Sequence, residues 1–581
     1  MSDCTKKPVI NCHTHIFRGE HVPPYLAKTF VPWPFSYLLN TSLILKLFKN
    51  SISSNNKKYQ DPYIEKRRNR ILKAINLRRN KLLSGVLSLI GMILTIHVFF
   101  IIFKWLSLVF NPEQNEIIGY IVKLQTWLTE HYLLVPIKNV YLQALLSFIL
   151  FSYFKSGRNF IWFVLSKTIK FFAILPGKMT KDLLERYLLL GRFTLYKNQS
   201  KIFSSMKEQY PPGTKFIVLP MDMEYMGAGK LKPENSYRNQ MQELADIKEN
   251  STNKDAFLPF VFVEPRRIKD EKDHFKYAFN NGTVTLENCF IKEYIEDKKF
   301  DGFKIYPALG YYPFDEELLP LWKYAADNQL PIMTHCIKGT IFYRGAKKKE
   351  WESHPIFKEI VNLKNEIYEP LLLPQRKNKD FSLNFTHPMN YLVLLKEELL
   401  RILVSQCRQD IRDLFGFTDL NTELKYNLSN LKICFAHFGG EDQWNKYLEL
   451  DRYGYSNELI KEPDFGIDFL YTANQKFSWR KLQDCWKYVD WYSIICSMML
   501  QHDNVYADIS YILHDDQIFP LLRQTINNPK LGDKVLFGTD FYVVRNHSAE
   551  KNLVATTTGN LTVEEFDSIA RDNPAVFLSK F

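Results

Sequence analysis

Residues 8–15 read PVINCHTH, an apolar run too short for a helix that closes on His13 and His15. In an extended strand, side chains two apart point to the same side, so both imidazoles reach toward one point while Thr14 faces away. Imidazole suits zinc and other first-row divalent metals. By itself His-X-His also arises as a chance or structural pair, so its meaning depends on what the rest of the chain sets beside it.

The same pattern, a short apolar run closing on polar residues, recurs along the chain. It appears at 215–220 (KFIVLP, followed by Met221 and Asp222), at 257–263 (FLPFVFV, followed by Glu264, Pro265, Arg266 and Arg267) and at 300–306 (FDGFKIY). It returns at 331–335 (PIMTH), 432–437 (KICFAH), 504–509 (NVYADI) and 534–540 (KVLFGTD). Helical apolar spacing lies between several of these runs, as at 315–328. Strands alternating with helices predict βαβ units on a parallel sheet, and eight such strands predict an α/β fold of the (β/α)8 TIM barrel type. A barrel of this kind carries its chemistry at the C-terminal ends of its strands. His335, His437 and Asp540, closing the fifth, sixth and eighth strands, therefore join His13 and His15 as candidates. A catalytic zinc takes three or four protein ligands and keeps a position for water, which this set provides with one histidine over.

The connection between the first two strands is far too long for a βα loop and predicts a large, mostly helical insertion. The domains then read as 1–17 (first barrel strand), 18–209 (inserted subdomain) and 210–581 (the remaining barrel). The insertion holds a basic stretch, with Lys57, Lys58, Lys66, Arg67, Arg68, Arg70, Lys73, Arg78, Arg79 and Lys81 opposed by Asp61 and Glu65. Two apolar runs follow, 86–103 and 140–154, on either side of a loop carrying Glu113, Glu116 and Glu130. A third run, 160–175, contains Lys167 and Lys170 and reads as interfacial. Spanning helices need about 20 apolar residues, and basic residues stay on the cytoplasmic side. The pattern predicts a transmembrane hairpin over about 86–154, with the barrel and both termini cytoplasmic. A buried helical hairpin against a subunit or protein partner is the plainer alternative.

Composition fits a large folded protein: 581 residues, 46% hydrophobic and 24% charged. The net charge of +13 permits anionic partners, but the basic stretch beside apolar runs points to a lipid bilayer. No nucleic-acid-binding motif stands out, so nucleic acid is not an expected partner. The eight cysteines form no C-x-x-C pair, and several sit in apolar runs, which predicts reduced, buried thiols.

Taken in order, the motifs resemble the amidohydrolase superfamily, in the amidohydrolase-related branch of aminocarboxymuconate semialdehyde decarboxylase type. The resemblance rests on NCHTHIF (11–17), FIVLPMD (216–222), FVFVEPRR (260–267), the long stretch FDGFKIYPALGYYPFDEELLPLWKYAADNQLPIMTHC (300–336), LKICFAHFGG (431–440), VYADIS (505–510) and LFGTDFY (536–542). It implies one divalent metal, zinc first, held by His13, His15, His335 and Asp540. Asp540 would also take a proton from water, and His437 would act as acid/base or bind a second metal. Lys304 would bridge two metals if carbamylated, or else pair with a carboxylate in the mouth. Glu264, Arg266, Tyr306 and Arg344 are candidate contacts for a small-molecule substrate, with Asp222 and Arg267 at similar standing. For Glu264, Arg266 and Arg267, ion pairing between helices is an equal alternative. His387 reads as a loop anchor, and His97 is not expected to be a ligand.

The implied activity is metal-dependent hydrolysis of an amide, lactone or ester. A non-oxidative decarboxylase or hydratase would use the same ligands, with an arginine such as Arg344 near the metal as its sign. A third reading is a membrane-tethered scaffold with a vestigial site, which an intact ligand set opposes.

Overall fold

The computed structural model describes residues 7–29, 34–46, 68–73, 75–76, 80–109, 116–154, 157–165, 196, 198–250, 252–339, 341–362, 367–373, 378–449, 451–541 and 543–579. Much of the basic stretch, Cys4 and most of the 160–175 run lie outside these residues. By compactness the chain divides into Met1–Asn50 with Asp182–Phe581, and Ser51–Lys181.

The larger unit is mixed α/β with parallel sheets. Its strands are β1 (Ile10–Thr14), β2 (Lys215–Val218), β3 (Phe257–Pro259), β4 (Val261–Phe262), β5 (Tyr277–Asn280), β6 (Thr283–Leu286), β7 (Phe303–Ile305), β8 (Ile332–His335), β9 (Ser353–Asn362), β10 (Ile367–Leu372), β11 (Ile433–Ala436), β12 (Val505–Asp508) and β13 (Val535–Leu536). One parallel sheet runs β1-β2-β3, and another runs β13-β12-β11-β8-β7-β4. Neither sheet closes on itself. Each of the expected runs holds a strand, the third being divided at Phe260. There the chain changes partner: Phe260 N–H donates to Val218 O at 3.0 Å, and Val261 N–H to Gly302 O at 2.9 Å. The antiparallel pairs β5–β6 and β9–β10 were not expected; β9–β10 lies between β8 and β11 in the chain.

At the other edges, Cys12 N–H donates to Phe537 O at 2.8 Å and Asp540 N–H to His13 O at 2.9 Å, while Thr14 bridges Phe541 in parallel. Asn11 reinforces this seam by donating to Tyr210 and to Thr539 Oγ1, each at 2.8 Å. Thr539 in turn donates to Glu550 at 2.6 Å. The core lies on two sides of the strands. Ile10, Cys12, Ile217, Phe260, Met333, Cys434, Tyr506 and Leu536 meet in one apolar cluster with Phe577, although they come from both sheets. Phe216, Phe303, Ile332, Ile433 and Val505 belong to the larger cluster that also takes in the helices. Helix Leu319–Asp327, between β7 and β8, fills the expected 315–328 span, and Pro574 occupies the first turn of helix Asn573–Phe577 as its fixed φ favours.

The smaller unit is narrower than the insertion expected at 18–209. Val22, Leu26 and Ala27, and Ile202, Phe203 and Met206 of helix Gln199–Lys207, are buried in the core of the larger unit. Within the smaller unit, helix Lys81–Val109 packs antiparallel to helix Val140–Tyr153. Trp105 Nε1–H donates to Gln143 Oε1 at 2.9 Å at one level, and Tyr153 lies against Gly91 at the other. The stretch read as a polar loop contains a further helix, Glu116–Glu130. Among the described residues one helix, Lys81–Leu108, is long and apolar enough to cross a membrane. At 1.5 Å per residue, fourteen-residue Val140–Tyr153 spans only about 21 Å. His97 accepts from Val135 N–H and hydrogen-bonds Ile93 O, consistent with a packing role.

Candidate metal centre

Three strand ends bring the candidate ligands together. β1 changes register between Asn11 and Thr14, an irregularity that re-aims side chains beside the site. After β13, Gly538 lets the chain pass against His13, where any Cβ would lie 2.9 Å from the His13 Cβ. His13 Nε2 and His15 Nε2 then sit 3.2 Å apart. Asp540 Oδ1 lies 3.3 Å from His15 Nε2 and 3.7 Å from His13 Nε2.

Hydrogen-bond partners on the far side of each ring fix its tautomer. His15 Nδ1 lies 2.8 Å from Leu219 O, and His13 Nδ1 lies 3.0 Å from Asp508 Oδ2. A carbonyl and a carboxylate only accept, so both Nδ1 atoms carry a hydrogen, and in the neutral rings both Nε2 atoms present lone pairs. Two lone pairs and a carboxylate oxygen thus converge with no hydrogen between them. This donor set, buried and with its outer nitrogens held, fits a divalent cation of the zinc type. Burial, with Lys304 and His15 nearby, holds His13 well below the ordinary histidine pKa, which keeps it neutral.

Asp508 did not stand out in the sequence, yet it organises the site. Beyond His13, it accepts from His437 N–H at 3.1 Å, from Ser510 N–H at 3.0 Å and from the Ser510 hydroxyl. The Ser510 oxygen is 2.9 Å from His437 Nδ1 and, its own hydrogen spent on Asp508, accepts there. His437 is thereby oriented too, and burial beside His13 lowers its pKa to about 3. His437, Phe438, Tyr511 and Asp540 all have positive φ, at 65°, 43°, 64° and 57°. Such backbone costs on the order of 1–3 kcal/mol per residue, and here it gathers at the mouth.

His335 lines the same small pocket but stands outside the tight clusters, which are His13–His15–Asp540 and His13–His437–Asp508. Its ring stacks on Tyr306 at 3.9 Å and lies 5.0 Å from His437, and its buried Nε2 has no hydrogen-bond partner among the described residues. Lys304 is buried nearby, with no hydrogen-bond partner at Nζ among the described residues; burial brings its pKa down to about 8 against the pull of Asp508 and Asp540.

Of the four candidate substrate contacts, Tyr306 lines the pocket. Arg266 is instead paired with Glu264 at 2.6 Å and donates to Leu309 O and Tyr225 O. Arg344 donates to Thr29 Oγ1 at 2.6 Å and lies over the Phe342 ring. Asp222 is bound by Arg267 at 2.6 Å, an ion pair that also takes in Glu224. A buried charge needs polar partners close by, and these have them: Arg266 on its own helix cap, Asp222 on the neighbouring helix, and Arg344 at the Thr29 hydroxyl. The cation that does line the pocket among the described residues is Lys338. His387 caps the turn at Pro388–Tyr391 by accepting from Met389 N–H, the anchoring role expected of it. Seven cysteines are free and buried.

No protein-family model matches the chain, and no curated protein matches it.

Proposed function

We propose that the protein is a metal-dependent hydrolase of amidohydrolase type, and that its two sheets are arcs of one (β/α)8 barrel. The barrel reading is supported by the hydrogen bonds joining β1 to 537–541, by the change of partner at Phe260, and by the single apolar cluster shared by strands of both sheets. The observation that carries the function is the convergence of His13 Nε2, His15 Nε2 and Asp540 Oδ1, all acceptors, on one buried point.

His13, His15 and Asp540 would hold the metal, with His335 the nearest further histidine donor on the pocket wall and His437 and Lys304 in reserve for a second ion. When bound, such a metal lowers the pKa of water toward about 7 and polarises a carbonyl. Asp540 Oδ1 is placed to take a proton, since its residue lines the pocket. His437, its Nδ1–H directed to Ser510, offers Nε2 for proton exchange with substrate. Tyr306 and Met221 wall the pocket and limit the water that reaches it. The hydrolase reading is preferred to the decarboxylase because Arg344 is directed to Thr29.

The smaller unit is read as the membrane attachment of a cytoplasmic enzyme. Its support is an apolar surface: Leu87, Ile90, Met92, Phe99, Leu145 and Phe148 are exposed on the two apolar helices. The test of the function is elemental analysis of the purified full-length protein together with a screen of amide, lactone and ester substrates before and after chelation. One equivalent of metal and chelator-sensitive hydrolysis are expected; full activity in metal-free protein overturns the reading.

A further inference from the structure

The cavity at the candidate centre is small, about 40 Å³, while the one next to it measures about 490 Å³. A few water-sized groups fill the first, whereas the second has the volume of a site for a drug-sized molecule. The two share Ile337 and Lys338 in their walls, and Gly439 and Gly440, lining the second, lie two and three residues after His437. Between them stands Ile337, packed so closely on Gly440 that a Cβ there would lie 2.5 Å from Ile337 Cγ1.

The walls of the larger cavity include Leu372, Leu383, Trp486, Val489 and Trp491. Its aromatic side is stiff. His387 stacks on Trp486 at 3.9 Å and meets Trp491 edge-on at 5.2 Å. Burial holds His387 well below the ordinary histidine pKa, so this wall carries no charge near neutrality. Two rim cations are already engaged, Lys487 with Glu359 at 2.8 Å and Lys446 with Val489 O at 3.2 Å. Lys338, Glu441 and Asp442 also line the cavity, so its apolar side is the part formed by Leu383, Trp486, Val489 and Trp491, and that side gains most from an apolar group.

We propose that this cavity is a subsite for an apolar substituent, of aryl or medium-chain acyl size, on a substrate whose carbonyl is hydrolysed at the His13–His15–Asp540 centre. The inference rests on the hydrolase reading. The small inner cavity takes the reacting group, Ile337 marks the passage, and the bulk of the substrate lies against Trp486 and Leu383.

The test uses zinc-loaded full-length protein in lipid nanodiscs and the esters 4-nitrophenyl acetate, octanoate and 2-naphthoate, each plus water giving an acid and 4-nitrophenol. Octanoate or naphthoate, according to which shape fits, is expected to exceed acetate in kcat/KM by about tenfold or more. Leu383→Trp should bring that ratio to within about twofold of one by filling the cavity. Leu372→Trp, at a position 64% exposed where folding is not at risk, should do the same. Equal ratios in wild type and both variants overturn the subsite. If no ester is hydrolysed, the cavity is tested alone by equilibrium dialysis of 2-naphthol and octanamide against empty nanodiscs, while the hydrolase reading is judged by the wider amide, lactone and ester screen. Saturable binding lost in Leu383→Trp upholds an apolar cavity site; its absence in wild type overturns it.

Discussion

Asp508 Oδ2 lies 3.0 Å from His13 Nδ1, with both side chains fully buried. The carboxylate sets the tautomer of the histidine and aims its Nε2 at His15 and Asp540. Removing it frees the ring to rotate and to move its hydrogen to Nε2. Asp508→Ala should therefore weaken zinc binding by about 10–100-fold, as loss of such a supporting partner does elsewhere. Competition with a chromophoric chelator measures this, and wild-type affinity in the variant would show that His13 is held by other means.

His13→Ala combined with His15→Ala should abolish stoichiometric zinc. Asp540→Asn should keep some metal but lose most hydrolysis, because an amide cannot take the proton. His437→Asn should lower turnover more than metal content. Loss of half the metal in that variant would point instead to two ions and to a role for Lys304. Elemental analysis beside kinetics separates these outcomes.

Much of this site was legible because one rule, polar residues closing apolar strands, selects His13, His15, His335, His437 and Asp540 together. The same rule applies to Asp508 in VYADIS, which closes β12 and was passed over beside the more conspicuous histidines. Partnering was not legible. Arg266, Arg344 and Asp222 look alike in sequence whether they face a substrate or a protein partner, and Glu264, Thr29 and Arg267 decide it only in three dimensions. Helix Glu116–Glu130 was hidden because its terminal acids resemble those of a loop. Eight strands could be read from their apolar runs, but the seam through Asn11, Thr539 and Glu550 joins residues more than 500 positions apart and leaves no local signal.

That seam can be probed at Thr539, whose hydroxyl donates to Glu550 and accepts from Asn11. Thr539→Val keeps the shape but leaves buried polar partners unmatched, costing about 1–3 kcal/mol. Denaturant unfolding of the metal-free protein should show this loss. An unchanged midpoint would mean that the seam contributes nothing to holding 537–541 on β1.

Acid should destabilise the fold through His354. Its Nδ1 accepts from Ile356 N–H at 3.1 Å and Phe357 N–H at 2.8 Å, so protonation there would break both bonds. Burial lowers its pKa from 6.5 to about 3. Between those values the unfolded chain binds a proton that the folded chain does not, so stability is retained above pH 6.5 and declines as pH falls toward 3. The stability of wild type relative to His354→Asn should shrink by up to about 1.4 kcal/mol per pH unit across that window. A difference independent of pH would show that His354 is protonated in the folded state.

The pairing of β1 with β2 constrains how the smaller unit can meet a membrane. Ile10 pairs with Lys215 and Asn11 with Phe216, so the chain before the insertion and the chain after it lie on the same side of any bilayer. The number of crossings between them must be even. Helix Lys81–Val109, about 43 Å long, is ample for a bilayer core of about 30 Å, but fourteen-residue Val140–Tyr153 falls short of it. A hairpin then requires the bilayer to thin around the shorter helix, or residues past Tyr153 to complete the return. The expected outcome is that the protein resists extraction by high salt and alkaline carbonate, with a tag inserted at position 114 reached only from the face opposite the C-terminus. A tag at 114 reached from the same face as the C-terminus would show that the first helix enters and leaves without crossing. Full solubility without detergent would show that these apolar helices meet another protein surface rather than lipid.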